Sequence, residues 1–495
     1  MDCEVVVVGG GIGGLTVAAL LAQRGVDVCL LEREPQVGGC AASFEKFGYS
    51  FEQGYGLFSG WQPGEIHERI FSELPVDPPA VGLWHPSYQV RLPDHSEIAM
   101  GADMEQFEDD LRRTFPDCDK QAIAFFRKLE SIGGALRRTL QRTPDLLSAS
   151  PSRRAFNLVR EGRLAAEILA AGRRSTLDHL AGLSERFLHF VDAQLQVLTQ
   201  GRSKDVSYLR AALALSAPRA GMYAIRGGAS ELAKRLAESI KRSGGRIKLD
   251  TPVLRLSYDS TGAAIGVDLL SGETVKAPKA VISNLTIWDT YGKLVGLNRT
   301  PTKIRKQLNG LRGWGAYLVY LGLDETTAAL LHSEHVLALS DWQDSTDDAE
   351  TGPLMFAAAP AWDARGPAGK RAVTVHAFTD VEDWFTFHKD ESELDEKDQQ
   401  MLERCWQRLH LALPELGSSI EVIETAQPRS FYELTRRKLG MVGGVIPTAE
   451  SFWLHAASHK TCLPNLFIIS DTSYPGAIEG LTRSALILAN ELTFQ

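Results

Sequence analysis

The rhythm of apolar and polar positions changes several times along the chain, and each change marks a piece of architecture. Residues 5–8 are four valines, with Cys3 just ahead, which predicts a strand buried on both faces. Glycines follow, then apolar residues at helical spacing over 15–24, then Gly25 and a second apolar run at 28–31. That succession predicts a strand–turn–helix–strand unit. From about residue 104 to 217 the period is helical, carried by Phe107 and Leu111, Phe125, Phe126 and Leu129, and Phe187, Phe190 and Leu195. After Gly221 the pattern predicts a helix over 230–243, ended by Gly244-Gly245, and short strands at 246–249, 253–258, 265–270 and 280–283. Strands at 317–323, 354–358 and 372–378 and a helix at 394–411 come next. The chain then returns to a buried strand at 466–470, a turn, and a helix over 481–492.

The first turn carries chemistry. Gly9, Gly11 and Gly14 fit G-x-G-x-x-G, with Ile12 and Gly13 between them, directly after a strand and at the head of a helix. The first glycine permits the tight turn, the second lets the backbone approach a pyrophosphate, and the third lets helix and strand pack closely. Glu32 ends the second strand, where a carboxylate accepts from ribose hydroxyls and repels a 2′-phosphate. A dinucleotide is therefore the expected ligand. Arg33 follows, and then a second glycine turn, Gly38-Gly39-Cys40, which offers a further backbone approach to the pyrophosphate. An NAD domain would continue into more strand–helix repeats, whereas residues 44–61 read as a loop rich in glycine and aromatics, so FAD is the expected cofactor. At the far end, Asp471 closes a buried strand, and Gly480 and Leu481 open the last helix. Asp471 suits the ribitol hydroxyls, and the helix N-terminus suits the flavin pyrimidine edge, which is negative when reduced. A plain turn carboxylate is the alternative for Asp471.

The expected fold class is α/β: a Rossmann-like FAD-binding domain with an interleaved α+β substrate domain and a helical cap. A chain of 495 residues exceeds what one core usually serves. The expected division is 1–100, 221–295 and 458–495 for the FAD-binding domain, 101–220 for the helical, membrane-facing region, and 296–457 for the substrate domain.

Charge and composition remove some partners. A net charge of −9 argues against nucleic acid as a general partner. The six cysteines form no C-x-x-C pair and show no metal-ligand spacing, so reduced, mostly buried thiols in an intracellular protein and no metal are expected. A strand starting this early leaves no room for a cleavable leader, and no apolar run is long enough to span a bilayer. The expected location is the cytoplasm, with peripheral membrane contact: residues 137–174 interleave nine arginines with Leu146, Leu147, Phe156, Leu158 and Val159. A solvated helix packing its apolar face inward is the competing reading of that segment.

With these residues in view, the chain resembles the phytoene desaturase family of flavoproteins, which includes carotenoid desaturases, carotenoid isomerases and retinol saturases within the amine-oxidase-like fold. Residues 5–34, 37–60, 221–253 and 465–492 carry the resemblance, and 427–447 more weakly. The stretch GGCAASFEKFGYSFEQG is closest to the isomerase and saturase branch. The resemblance implies that Gly54, Tyr55, Gly56 and Leu57 run beside the isoalloxazine and that Val253 touches the adenine through its backbone. Glu52 stands where the family usually has Asp, and the turn PGAIEGL at 475–481 is shorter and poorer in glycine than usual.

No second dinucleotide motif is present, so electrons are expected to pass between an apolar isoprenoid or polyene substrate and the flavin, with oxygen or a quinone as acceptor. Tyr55, Phe58, Trp61 and Tyr223 are candidate aromatic walls. Glu52, Tyr55, His67 and Arg226 are the candidate catalytic groups, none singled out. A flavoenzyme acting on a polar amine or a tetrapyrrole would share every flavin motif. A non-catalytic carrier, similar to prenyl-protein escort factors, is the reading from another class.

Overall fold

The computed structural model describes residues 2–342, 351–363, 365–386, 391–447 and 458–493. Two sheets and a helical layer organise them.

The first sheet has five strands in the order Leu466–Ile468, Ala280–Ser283, Val5–Val8, Val28–Leu31 and Arg246–Lys248, and every pairing is parallel. A parallel sheet is covered on both faces, which explains why Val5–Val8, Val28–Leu31 and Ala280–Ser283 are buried throughout. The helix Ile12–Gln23 is buried over nearly its whole length. It packs between the helices Ala229–Arg242 and Ala477–Thr493. Strands from the beginning, middle and end of the sequence thus share one sheet, as the interleaved reading expects.

The second sheet has seven strands in the order Ile420–Ala426, Gly315–Asp324, Lys370–Thr379, Leu354–Ala358, His335–Ala338, Tyr88–Arg91 and Glu97–Met100. Side chains alternate across its long strand: Tyr317, Val319, Leu321 and Leu323 enter one core with Trp384, Met401 and Cys405, while Ala316, Leu318 and Tyr320 pack against Tyr49 and Phe51. Tyr49–Glu52 is half of a hairpin with Ser43–Lys46, so the first part of the stretch 44–61, expected as loop, is two strands joined by a turn at 47–48.

One boundary also moves. Tyr88–Arg91 pairs in parallel with His335–Ala338, so residues 88–100, expected in the FAD-binding domain, belong to the seven-stranded sheet. The helices Asp119–Arg142, Glu185–Thr199 and Tyr208–Ala220 form the cap around Phe107, Phe115, Phe126, Phe187 and Phe190. Two of them cross closely at Gly133, where a Cβ would strike the Ala212 carbonyl.

Candidate flavin and substrate site

The carboxyl ends of the parallel strands point to one place. From them emerge Gly9 to Gly11, Glu32, Asn284, and residues 469–471, the crevice where open parallel sheets bind ligands. Gly9 takes a φ of +101°, and a Cβ on Gly14 would fall on the Gly9 carbonyl oxygen. The first glycine therefore makes the turn and the third admits the helix. Gly13 is packed against Ile469 and Asn284 in the same way. The second glycine turn lies against the first, with the Gly38 N–H donating to the Gly10 carbonyl at 2.8 Å. Glu32 accepts from the Gly10 and Glu34 amides at 2.5 and 2.9 Å, which fixes its carboxylate at the mouth of the crevice.

A cavity of about 870 Å³ runs from this crevice into the cap. Gly9, Gly11, Ile12, Glu32, Arg33, Gly38, Gly39, Cys40 and Val253 line one part, and Gly54, Tyr55, Gly56, Leu57, Asp471, Gly480 and Leu481 line another. Of the residues expected to hold the cofactor, Gly13 and Gly14 alone lie beneath the wall, where their lack of a side chain is what the packing needs.

Four further contributors went unread in the sequence. Arg437 donates to both oxygens of Asp471 at 3.0 and 3.2 Å and to the carbonyls of Met441 and Gly443 at 2.6 Å each. Burial alone would lower its pKa, but the Asp471 carboxylate and the Cys40 sulfur outweigh that and hold it above the ordinary guanidinium value. Asn284 donates to the Ile469 carbonyl at 2.6 Å, tying two strand ends together under Gly11. Gly443 and Gly444 line the cavity beside Asp471. All but Asn284 fall within the weakly recognised stretch 427–447, which was the available signal.

The proposed catalytic groups separate. Tyr55 lines the cavity, its ring edge-on to His376 at 4.6 Å, and burial raises its hydroxyl pKa. Glu52 also reaches the wall, but Ala229 N–H donates to one oxygen at 2.8 Å and Arg365 to the other at 2.6 Å. Its side chain thus caps a helix and clamps an arginine. Arg226 is exposed, stacks over Trp362 at 5.4 Å, and is not part of the cavity wall. His67 is buried against Trp61 at 4.3 Å, with its pKa lowered to about 4 by burial, and is likewise outside the wall. The arrangement therefore removes Arg226 and His67 from the candidates and leaves Tyr55. Phe58 lines the cavity; Trp61 and Tyr223 do not.

Glu479, on the first turn of the last helix, faces the cavity and accepts from Ser59 and Arg483 at 2.6 and 2.7 Å. Burial would raise its pKa; Arg483 and the Ser59 hydrogen bond hold it below the usual carboxylate value.

Against known proteins, the family model for flavin-containing amine oxidoreductases matches residues 12–493. The chain belongs to that family. An all-trans-retinol 13,14-reductase of Danio rerio is 28% identical, across 99% of this chain and 87% of its own length. A chloroplastic prolycopene isomerase of Arabidopsis thaliana is 24% identical, across 96% and 79%. Among solved structures, an oxidoreductase from Methanosarcina mazei superposes with a TM-score of 0.65 at 16% identity, covering 99% of this chain and all of that one, which shows the shared fold.

This flavin-containing family gives the cavity its cofactor, and the residues present fit it. Glu32 and Val253 would hold a nucleoside end, the paired glycine turns a pyrophosphate, and Asp471 with Gly480 the opposite end, and all of them line the one cavity. The protein is an FAD-dependent oxidoreductase.

Proposed function

We propose that the enzyme acts on carbon–carbon bonds of an apolar, isoprenoid-like polyene, by desaturation, saturation or isomerisation. The observation that carries this reading is the cavity beyond the flavin-binding turns, walled by Leu147, Val197, Leu198, Leu213, Ala214, Ala217 and Met222. The relatives named for a retinol reductase and a prolycopene isomerase support it. FAD, when bound, supplies a two-electron hydride acceptor or donor. The chain's own part is to align the polyene along this wall and exclude water. Because burial raises the Tyr55 pKa, its hydroxyl stays protonated at neutral pH and is suited to donate a proton or hydrogen bond rather than to act as base.

An amine substrate fits the electrostatics poorly. Arg137, Arg210 and Arg483 line the cavity, and the carboxylates of Glu52, Asp471 and Glu479 are each already held by an arginine. A protonated amine would meet positive charge. Oxygen or a quinone is the proposed electron acceptor for desaturation; saturation would draw its two electrons from an external reduced carrier, and isomerisation would return them to the substrate.

The route in is proposed to be a membrane surface. Residues 144–147 bring Leu147 to the cavity, and just beyond them Phe156 and Val159 are 77% and 67% exposed, with Arg153, Arg160 and Arg163 around them. No helix among the described residues is long and apolar enough to cross a membrane. Replacing Phe156 and Val159 together by Glu should lower sedimentation with anionic phospholipid vesicles by about tenfold, two buried side chains being worth that or more. Equal sedimentation of both forms would remove this face as the contact.

Expression in polyene-accumulating cells, with pigment mass as readout, tests the function. A product lighter or heavier by two hydrogens, or of unchanged mass and altered retention, is expected. Polyenes left untouched throughout would overturn it.

A further inference from the structure

Among the cations on the cavity wall that are withdrawn from solvent, Arg210 has the least to hold it. Arg437 faces Asp471, Arg483 faces Glu479, Lys293 faces Asp289, and Arg33 faces Glu34. Arg137 donates to Ser216 and lies within the field of Glu65 and Glu479. Arg436 is exposed and stacked on Tyr432. Arg210 donates once from its guanidinium, to the Thr199 carbonyl at 3.3 Å, and no acidic side chain pairs with it among the described residues. A guanidinium carries five donors, so most of its capacity is unused.

Its placement sharpens the point. Arg210 lies in the first turn of Tyr208–Ala220, where the helix dipole disfavours a cation. The Thr199 carbonyl, at the end of Glu185–Thr199, offsets this in part. Arg210, Leu213, Ala214 and Ala217 all line the cavity, and their spacing of three, four and seven places them on one helix face. The cation thus heads an apolar stripe roughly 10 Å long, at 1.5 Å rise per residue. Burial pushes the Arg210 guanidinium down to about 10, so it remains charged at neutral pH.

We propose that Arg210 binds an anionic head group, carboxylate or phosphate, on one end of the polyene, whose apolar body lies along Leu213, Ala214 and Ala217. This rests on the polyene reading above and narrows it, from a hydrocarbon to an acid-ended isoprenoid. The anion would supply the missing partner, and bidentate pairing would orient the chain end to end.

The test titrates the FAD-loaded protein with all-trans-retinoic acid, all-trans-retinol and geranylgeranyl diphosphate, following perturbation of the flavin absorbance. An anionic probe should bind at least about tenfold more tightly than the alcohol, as a charged hydrogen-bonded contact implies. Tighter binding of the acid identifies a carboxylate, and of the diphosphate a phosphate. Arg210→Gln should erase the preference by weakening the anion alone, and Arg210→Lys should keep part of it, with flavin content unchanged in both. Were Arg210 only a clamp on the Thr199 carbonyl, Arg210→Gln would lower stability and move acid and alcohol alike. Equal affinity of acid, diphosphate and alcohol for the unaltered protein overturns the inference without any variant and leaves the polyene reading standing. Binding by none of the three overturns both.

Discussion

The nucleotide half and the substrate half of this molecule are built on opposite plans. Around Val5–Val8 the cavity is lined mainly by backbone: glycine turns, strand ends and a helix start, with Glu32 and Asp471 as carboxylates. Around the seven-stranded sheet and the cap it is lined by side chains, Tyr55, His376, Phe378, Leu213 and Arg210, arriving from separate elements. Backbone recognition constrains residue type tightly, because a side chain added at Gly14 would occupy the Gly9 carbonyl. Side-chain recognition needs only shape and polarity, which many residues supply. One half is therefore fixed by its cofactor while the other is free to change substrate.

The sharpest test of that division is Arg437, a side chain that braces the nucleotide half through Asp471. Arg437→Met leaves the carbonyls of Met441 and Gly443 without this donor and strips Asp471 of its counter-charge, with only the Ser470 hydroxyl still donating to it. Removing one partner of a largely buried pair costs about 3–5 kcal/mol. The variant should unfold at markedly lower denaturant and purify nearly colourless, lacking the flavin band. Retention of full flavin content would mean that the glycine turns alone hold the cofactor.

Acid should distinguish the halves next. His335 and His376, both on the seven-stranded sheet, have pKa values lowered by burial to about 4 and about 3, and their Nδ1 and Nε2 atoms respectively lack partners. Near the nucleotide half, His67 is comparable, at about 4. Below pH 6.5 the unfolded chain takes up protons that the folded one refuses, so stability falls as the pH falls toward those values and is full above 6.5. Between pH 6.5 and 5, before most carboxylates protonate, melting temperature should drop by several degrees. Amide exchange should rise in His335–Ala338 and Lys370–Thr379 before Val5–Val8. His376→Leu should flatten the profile; a profile already flat in that window would end the argument.

The same contrast explains what the sequence made legible. The glycine spacing, Glu32 and the all-apolar strands are local signals, and the parallel sheet and its ligand follow from them. Tyr88–Arg91 and Glu97–Met100 were missed because they are short and their partner, His335–Ala338, comes far downstream. Ile420–Ala426 escaped because its edge position leaves Glu421 and Val422 exposed, which blurs the alternation. Glu52, Arg226 and His67 were candidates by nearness to motifs, and nearness along the chain says nothing of what occupies a carboxylate. Arg365, which holds Glu52, is separated from it by the whole cap. Arg437 belongs to the same class of contact, formed only when the chain returns.

The smallest expected effect concerns the turn that opens the last helix. Ala477 follows Gly476 at the head of the last helix and takes a φ of +47°, a conformation costly for any residue with a Cβ. In a turn written PGAIEGL the alanine stands where a second glycine would relax the backbone. Ala477→Gly should therefore stabilise the protein by about 0.5 kcal/mol, the relief of an unfavourable φ being offset by the greater freedom of an unfolded glycine. Flavin affinity should rise slightly with it, since Ala477 lines the cavity beside Gly480. If denaturation midpoints show the variant to be destabilised instead, the alanine methyl contributes packing that outweighs its backbone strain. The last helix would then be held by a side chain after all, and the backbone plan of the nucleotide half would end one turn earlier, at Gly476.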